Sequence, residues 1–214
     1  MPDSASFENC AVVACGTLTM ELNHLKDKGF LNAEKILYTT PGRHEVPREL
    51  ESQLIKQIAA AKEFASNIII VYGGKFCYIN VDNPYRTIDT IIEEQVSPGV
   101  KISRIQATHC MDMLASEKER NEIGEGEDIY WLTPGWIRYS EYVYQGWDKG
   151  MANENFPKHT GGAIVLDGIG YYDKLMEEQP EKILELSDWM GIPIDSRNVS
   201  LDRFKNLLAD AIPA

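Results

Sequence analysis

No stretch of this chain approaches the roughly 20 consecutive apolar residues that a membrane-spanning helix needs, so no span is expected. Positive charge is scarce too. Lys and Arg number 21 against 33 Asp and Glu, a formal net charge of −12, and both nucleic-acid backbones and anionic lipid call for concentrated Lys and Arg. Neither nucleic acid nor a membrane surface is therefore an expected partner. The opening MPDSASFENC is polar and acidic and has no apolar signal core, so a cytoplasmic location is expected. Cysteine is limited to Cys10, Cys15, Cys77 and Cys110, with no Cys-x-x-Cys pair. That removes zinc-ribbon and thioredoxin-type motifs. In a reducing compartment the four are expected as free thiols or metal ligands rather than disulfides.

Other signatures are missing. There is no Gly-x-x-x-x-Gly-Lys-Ser/Thr phosphate loop, and DGIG (167–170) lacks the third glycine that would open a helix in a dinucleotide fingerprint. No Gly-x-Ser-x-Gly elbow occurs either.

Short apolar runs do alternate with amphipathic stretches. Strands are predicted at 11–18, 34–40, 66–74, 101–110, 128–136 and 161–170. Helices are predicted at 19–29, 48–65, 83–96, 137–150, 171–191 with a break near Pro180, and a last one after Ser200 as its cap. In 48–65, Leu50, Leu54, Ile58 and Ala61 form one apolar face. SNIIIVYGG is continuous and β-branched, as suits a strand covered on both faces. The pattern predicts an α/β fold: one domain over 1–214 with a polar tail at 1–9, and an open, mostly parallel sheet of about five or six strands with helices on both faces.

In such sheets ligands bind beyond the carboxyl ends of the strands. Cys15 falls at the end of the first predicted strand and His44 just past the second. Cys77 follows the third, His109 and Cys110 end the fourth, and the turn Thr133–Trp136 ends the fifth. Thiolate and imidazole suit zinc, and three cysteines can hold an iron–sulfur cluster with one iron open. They can also meet the cobalt of a cofactor. Cys15, Cys77, Cys110 and His44 are the expected metal ligands. In a metal-free reading, Cys110 or Cys15 is a nucleophile with a nearby histidine such as His109 as base. Arg48 and Arg43 would orient substrate, and Gly73, Gly74 and Trp136 would line the binding pocket. Packing competes with each assignment taken singly, because free cysteine is often buried as a small hydrophobe and aromatic clusters such as Trp136, Tyr139, Tyr142, Tyr144 and Trp147 are usually core.

Several of these pieces occur in a set order: ACGTL, His44-x-x-Pro47 followed by Leu50, VYGG, a residue–Cys pair at 109–110, and YWLTPGW. Together, over about 11–210, they resemble domain-of-unknown-function family 1638, found in methanogenic archaea and anaerobic bacteria. The family pattern has Tyr-Gly-x-Cys-Gly at the glycine turn and Asp-Cys at the fourth strand. Here Lys75 and Cys77 follow Gly74, and His109 precedes Cys110. The resemblance implies a role near corrinoid-dependent methyl transfer, with a corrinoid protein or a methyltransferase as partner. The chain lacks the Asp-x-His-x-x-Gly signature of one type of corrinoid carrier. Three readings stand: a metal-centred protein of methyl-transfer metabolism, a non-enzymatic accessory docking on a corrinoid protein or methyltransferase, and a metal-free thiol enzyme. A homo-oligomer is compatible with all three.

Overall fold

Five residues, Cys10–Ala14 (β1), form the centre of the fold, and all five are buried. The computed structural model describes residues 5–42, 47–74, 83 and 85–213. After β1 come a 3-10 turn at Gly16–Leu18, α1 (Thr19–Asp27), β2 (Lys35–Tyr38), α2 (Pro47–Ala61), β3 (Asn67–Val71), α3 (Ile88–Gln95) and β4 (Lys101–Arg104). Next are α4 (Cys110–Leu114), α5 (Glu117–Ile123), β5 (Tyr130–Leu132), α6 (Pro134–Arg138), α7 (Ser140–Val143) and α8 (Lys149–Asn155). The chain finishes with β6 (Ala163–Asp167), α9 (Tyr171–Glu178), α10 (Pro180–Met190), β7 (Ile194–Asn198) and α11 (Asp202–Asp210).

The fold is α/β and its strands pair in parallel, as the alternating pattern predicts. The strands are divided between two sheets, β2-β1-β3-β4 and β5-β6-β7. Burial explains the arrangement. Val13, Ile68 and Ile70 pack one face of the first sheet against Leu50, Leu54, Ile58 and Ala61 of α2 and Ile88 and Ile91 of α3. Val12, Ile69 and Val71 on the other face pack with Leu22 and Leu25 of α1 and Phe204 and Leu208 of α11, in a core that also takes in Leu166 of β6. Residues of both sheets therefore share one core, and the two sheets belong to a single compact domain. A third cluster, around Leu132, Val165, Tyr144 and Phe156, fills the space beside the second sheet.

Several boundaries move from those predicted. The fourth strand stops at Arg104, so His109 and Cys110 lie at the start of a helix and not at a strand end. The cause is the Arg104 guanidinium, which turns back and donates to the carbonyls of Ile105 (2.8 Å) and Tyr72 (3.3 Å) and so ends the ladder. The predicted helix 137–150 breaks into α6, α7 and the start of α8. Gly146 has φ +88°, and Asp148 caps α8 by accepting the Met151 amide at 2.8 Å. The helix predicted at 83–96 is regular only from Ile88, where Thr87 caps it. Pro180 opens α10, which matches the predicted break. Ser200 accepts the Asp202 amide at 3.1 Å, one residue ahead of the cap position of α11. The strand Ile194–Asn198 was not anticipated: IDSRN is a polar edge strand without an apolar pattern.

Candidate functional site

The end of β1 sets the first wall. Cys15 is extended, its amide donates to Val71 O at 3.3 Å, and its thiol lies 3.1 Å from Thr17 Oγ1. Beside it Tyr72, the residue after β3, has its phenol hydrogen-bonded to Thr39 Oγ1. Gly73 comes next, and a Cβ there would sit 2.5 Å from Thr108 O and 2.6 Å from His109 Cα. Only glycine lets the segment that carries His109 cross the end of β3 so closely. Gly74 lies one residue further along, against the Arg104 guanidinium, with its amide donating to Ala107 O at 2.9 Å.

The second wall is the start of α4. His109 is its N-cap: Nδ1 accepts the Asp112 amide at 3.2 Å. The other ring nitrogen, Nε2, faces a second donor. That nitrogen lies 3.4 Å from the Arg120 guanidinium, and Arg120 is itself buried and donates to Ala115 O at 2.5 Å. Burial and then the Arg120 charge hold the His109 pKa below the ordinary imidazole value, so the ring stays neutral at physiological pH. Asp112 anchors the same turn. It accepts from the Thr108 amide at 2.9 Å and from Arg203 of α11 at 2.9 Å. Burial pulls its pKa upward, but Thr108 and Arg203 outweigh this and keep it below the usual carboxylate range. Cys110 is partly buried, its thiol 3.1 Å from Met111 Sδ.

The third wall comes from the second sheet. Thr133 follows β5 as the N-cap of α6, Pro134 opens that helix, and Gly135 packs onto the backbone of Thr17. This contact seats Trp136 at the seam, packed against both the central core and the core of the second sheet. The three walls enclose a cavity of about 190 Å³ bordered by Cys15, Gly73, His109, Cys110 and Trp136, with Leu18, Leu50, Val71, Met111 and Met113 among its apolar surfaces. Five sequence-predicted site residues are thus brought to one place. His44 and Cys77, the other two expected metal ligands, lie outside the described residues, as does the side chain of Arg48. Among the described residues, no group of three or more His, Cys, Asp or Glu side chains is placed to hold a metal ion.

Burial pushes the Cys15 thiol above its ordinary pKa, with hydrogen bonds from Thr17 and Tyr72 partly opposing the rise. An apolar cavity with a protonated Cys15 thiol receives soft, weakly hydrated groups and excludes water. A cavity of comparable size in another protein stays dry and takes up benzene.

One residue in this neighbourhood was missed. Glu21 on α1 is wholly buried, and neither carboxyl oxygen has a hydrogen-bond partner. Burial raises its pKa to about 8, with the nearby Asp167 charge adding to the effect. Asp167, at the end of β6, is committed elsewhere and accepts the amides of Ile169 (2.9 Å) and Tyr172 (2.7 Å). The signal was available, since Glu21 stands at helical spacing from Leu18 and Leu25, on the apolar face.

A family model described as "Protein of unknown function (DUF1638)" matches residues 38–208. No curated protein and no solved structure matches the chain. Among the described residues, no helix is long and apolar enough to cross a membrane.

Proposed function

This chain belongs to the DUF1638 family, and we propose that it binds a soft metal ion in the cavity between β1, β3, α4 and α6, as a component of methyl-transfer chemistry. The observation that carries this reading is the convergence of Cys15 and Cys110, from opposite ends of the first sheet's sequence, on one cavity. Cys77 and His44 are proposed to complete the donor set, with zinc or an iron–sulfur cluster as the bound group.

Two features favour a metal over a free thiol–imidazole pair. The Cys15 thiol is held protonated by burial, so it is a weak nucleophile on its own. His109 has Nδ1 on the α4 cap and Nε2 beside the Arg120 guanidinium, so both of its ring nitrogens already face protein donors. A bound cation, when present, supplies the missing term, because coordination deprotonates a thiol outright and the thiolate is the nucleophile that methyl transfer requires. The chain's own residues would then do the rest: Trp136, Met111 and Leu18 exclude water, and Gly73 lets the segment carrying His109 and Cys110 close over the end of β3. A corrinoid protein or methyltransferase is the proposed source of the methyl group.

The test is elemental analysis of protein purified without oxygen, together with C15S and C110S. Stoichiometric zinc or iron in the wild type, lost in both variants while they remain folded by circular dichroism, supports the proposal. Full metal retention by both variants, or none in the wild type, ends it.

A further inference from the structure

A second cleft, with none of the cysteines in its lining, adjoins the first through Tyr144, whose ring centroid lies 6.1 Å from that of Trp136. It has a volume of about 250 Å³ and is bordered by Ser140, Glu141, Tyr144, Trp147, Leu186 and Trp189. Its aromatic members form a connected set. Tyr144 meets Trp189 with ring centroids 5.2 Å apart and Trp147 at 6.2 Å. Phe156 lies behind, 5.5 Å from Tyr144, 5.5 Å from Trp147 and 5.7 Å from Trp189. Tyr144 is buried and makes the floor, with Phe156 packed beneath it. Trp147 and Trp189 are only partly buried and stand at the rim.

Charge selects the occupant. Glu141 is exposed and, among the described residues, has no ion pair and is the only charged side chain bordering the cleft. The neighbouring Lys149 is held by Asp188 at 2.6 Å. Indole and phenol faces attract cations most strongly when the cation is bulky, methylated and easily desolvated. A carboxylate at the mouth adds to that attraction, and a net charge of −12 favours approach of a cation. A neutral apolar ligand would use the rings but not Glu141, and an anion would be repelled by it.

We propose that the cleft formed by Tyr144, Trp147 and Trp189 with Glu141 binds a small, free, methylated ammonium compound. The site shares no lining residue with the thiol cavity, and its ligand needs no metal.

Full-length protein is titrated with choline and with its uncharged carbon isostere 3,3-dimethyl-1-butanol, followed by tryptophan fluorescence and by ligand-observed NMR. Choline is expected to bind about ten-fold more tightly than the isostere. E141K, a change at an exposed position that leaves the packing untouched, is expected to abolish the preference. W189L and W147L are expected to weaken choline at least ten-fold. Equal affinity for choline and isostere overturns the proposal, as does undiminished choline binding in E141K. A trimethyllysine peptide that binds more tightly than choline overturns the assignment to a free small molecule. C15S with normal choline binding separates this result from the fate of the metal proposal.

Discussion

Gly135 rests on Thr17 so closely that a Cβ at position 135 would lie 1.8 Å from the Thr17 carbonyl oxygen. Backbone meets backbone here, so neither side can yield by rotating a side chain. G135A is expected to lift α6 from the turn after β1, shift Trp136 in the cavity, and cost about 2 kcal/mol or more as an overpacking change. Urea unfolding monitored by tryptophan emission reads both effects. A variant with wild-type midpoint and emission maximum would show that the two segments are not in contact.

His109 is expected to act through its cap. H109A should lower stability by roughly 1 kcal/mol, the usual loss when a helix loses its N-cap acceptor. H109N and H109D restore an acceptor and should recover most of that loss. Chemical denaturation of the three variants decides the matter, and H109N behaving like H109A would remove the capping role.

Glu21 should make the protein alkali-sensitive. Its folded pKa of about 8 lies above its ordinary value of 4.5, so the folded state keeps a proton that the unfolded chain has lost between those values. The stability is therefore fully present below about pH 4.5 and declines as pH rises toward 8. E21Q removes this titration. Its advantage over wild type should be near zero at pH 4.5 and grow to the order of 4 kcal/mol by pH 8. Unfolding free energies measured at several pH values test the slope, and parallel curves for the two proteins would contradict it.

Cys15 should alkylate slowly. With its thiol pushed up by burial, the reactive thiolate is depleted at neutral pH in the metal-free protein. Iodoacetamide labelling followed by peptide mass spectrometry should show Cys15 lagging behind a free thiol standard at pH 7.5 and catching up only at higher pH. T17V removes the 3.1 Å partner of the thiol and should delay it further.

The sequence was most informative where burial imposes a period. The apolar face of α2, the runs of β1 and β3, and the break at Pro180 were all visible, as was the gathering of Cys15, Gly73, His109, Cys110 and Trp136. The division into two sheets was not, because pairing among strands depends on packing between distant segments and leaves no local trace. β7 escaped because an edge strand such as IDSRN needs no apolar alternation. The end of β4 was misplaced because Arg104 terminates the ladder through bonds to Ile105 and Tyr72, contacts that depend on how the chain folds back. Met111 and Met113, which line the cavity, were passed over because thioethers at helix starts look like ordinary filler.

Among the described residues every strand pair is parallel, and β1 meets β3 by matching Cys10 with Asn67. A ladder of that kind has no local hairpin to start from, so it closes late and slowly. Until α6 docks, Cys15 and Cys110 have no shared chamber and remain open to any oxidant in the medium. Renaturation from denaturant should accordingly give native protein in high yield only with a reducing agent present. Without one, premature cross-linking would trap the chain before its second sheet is in place.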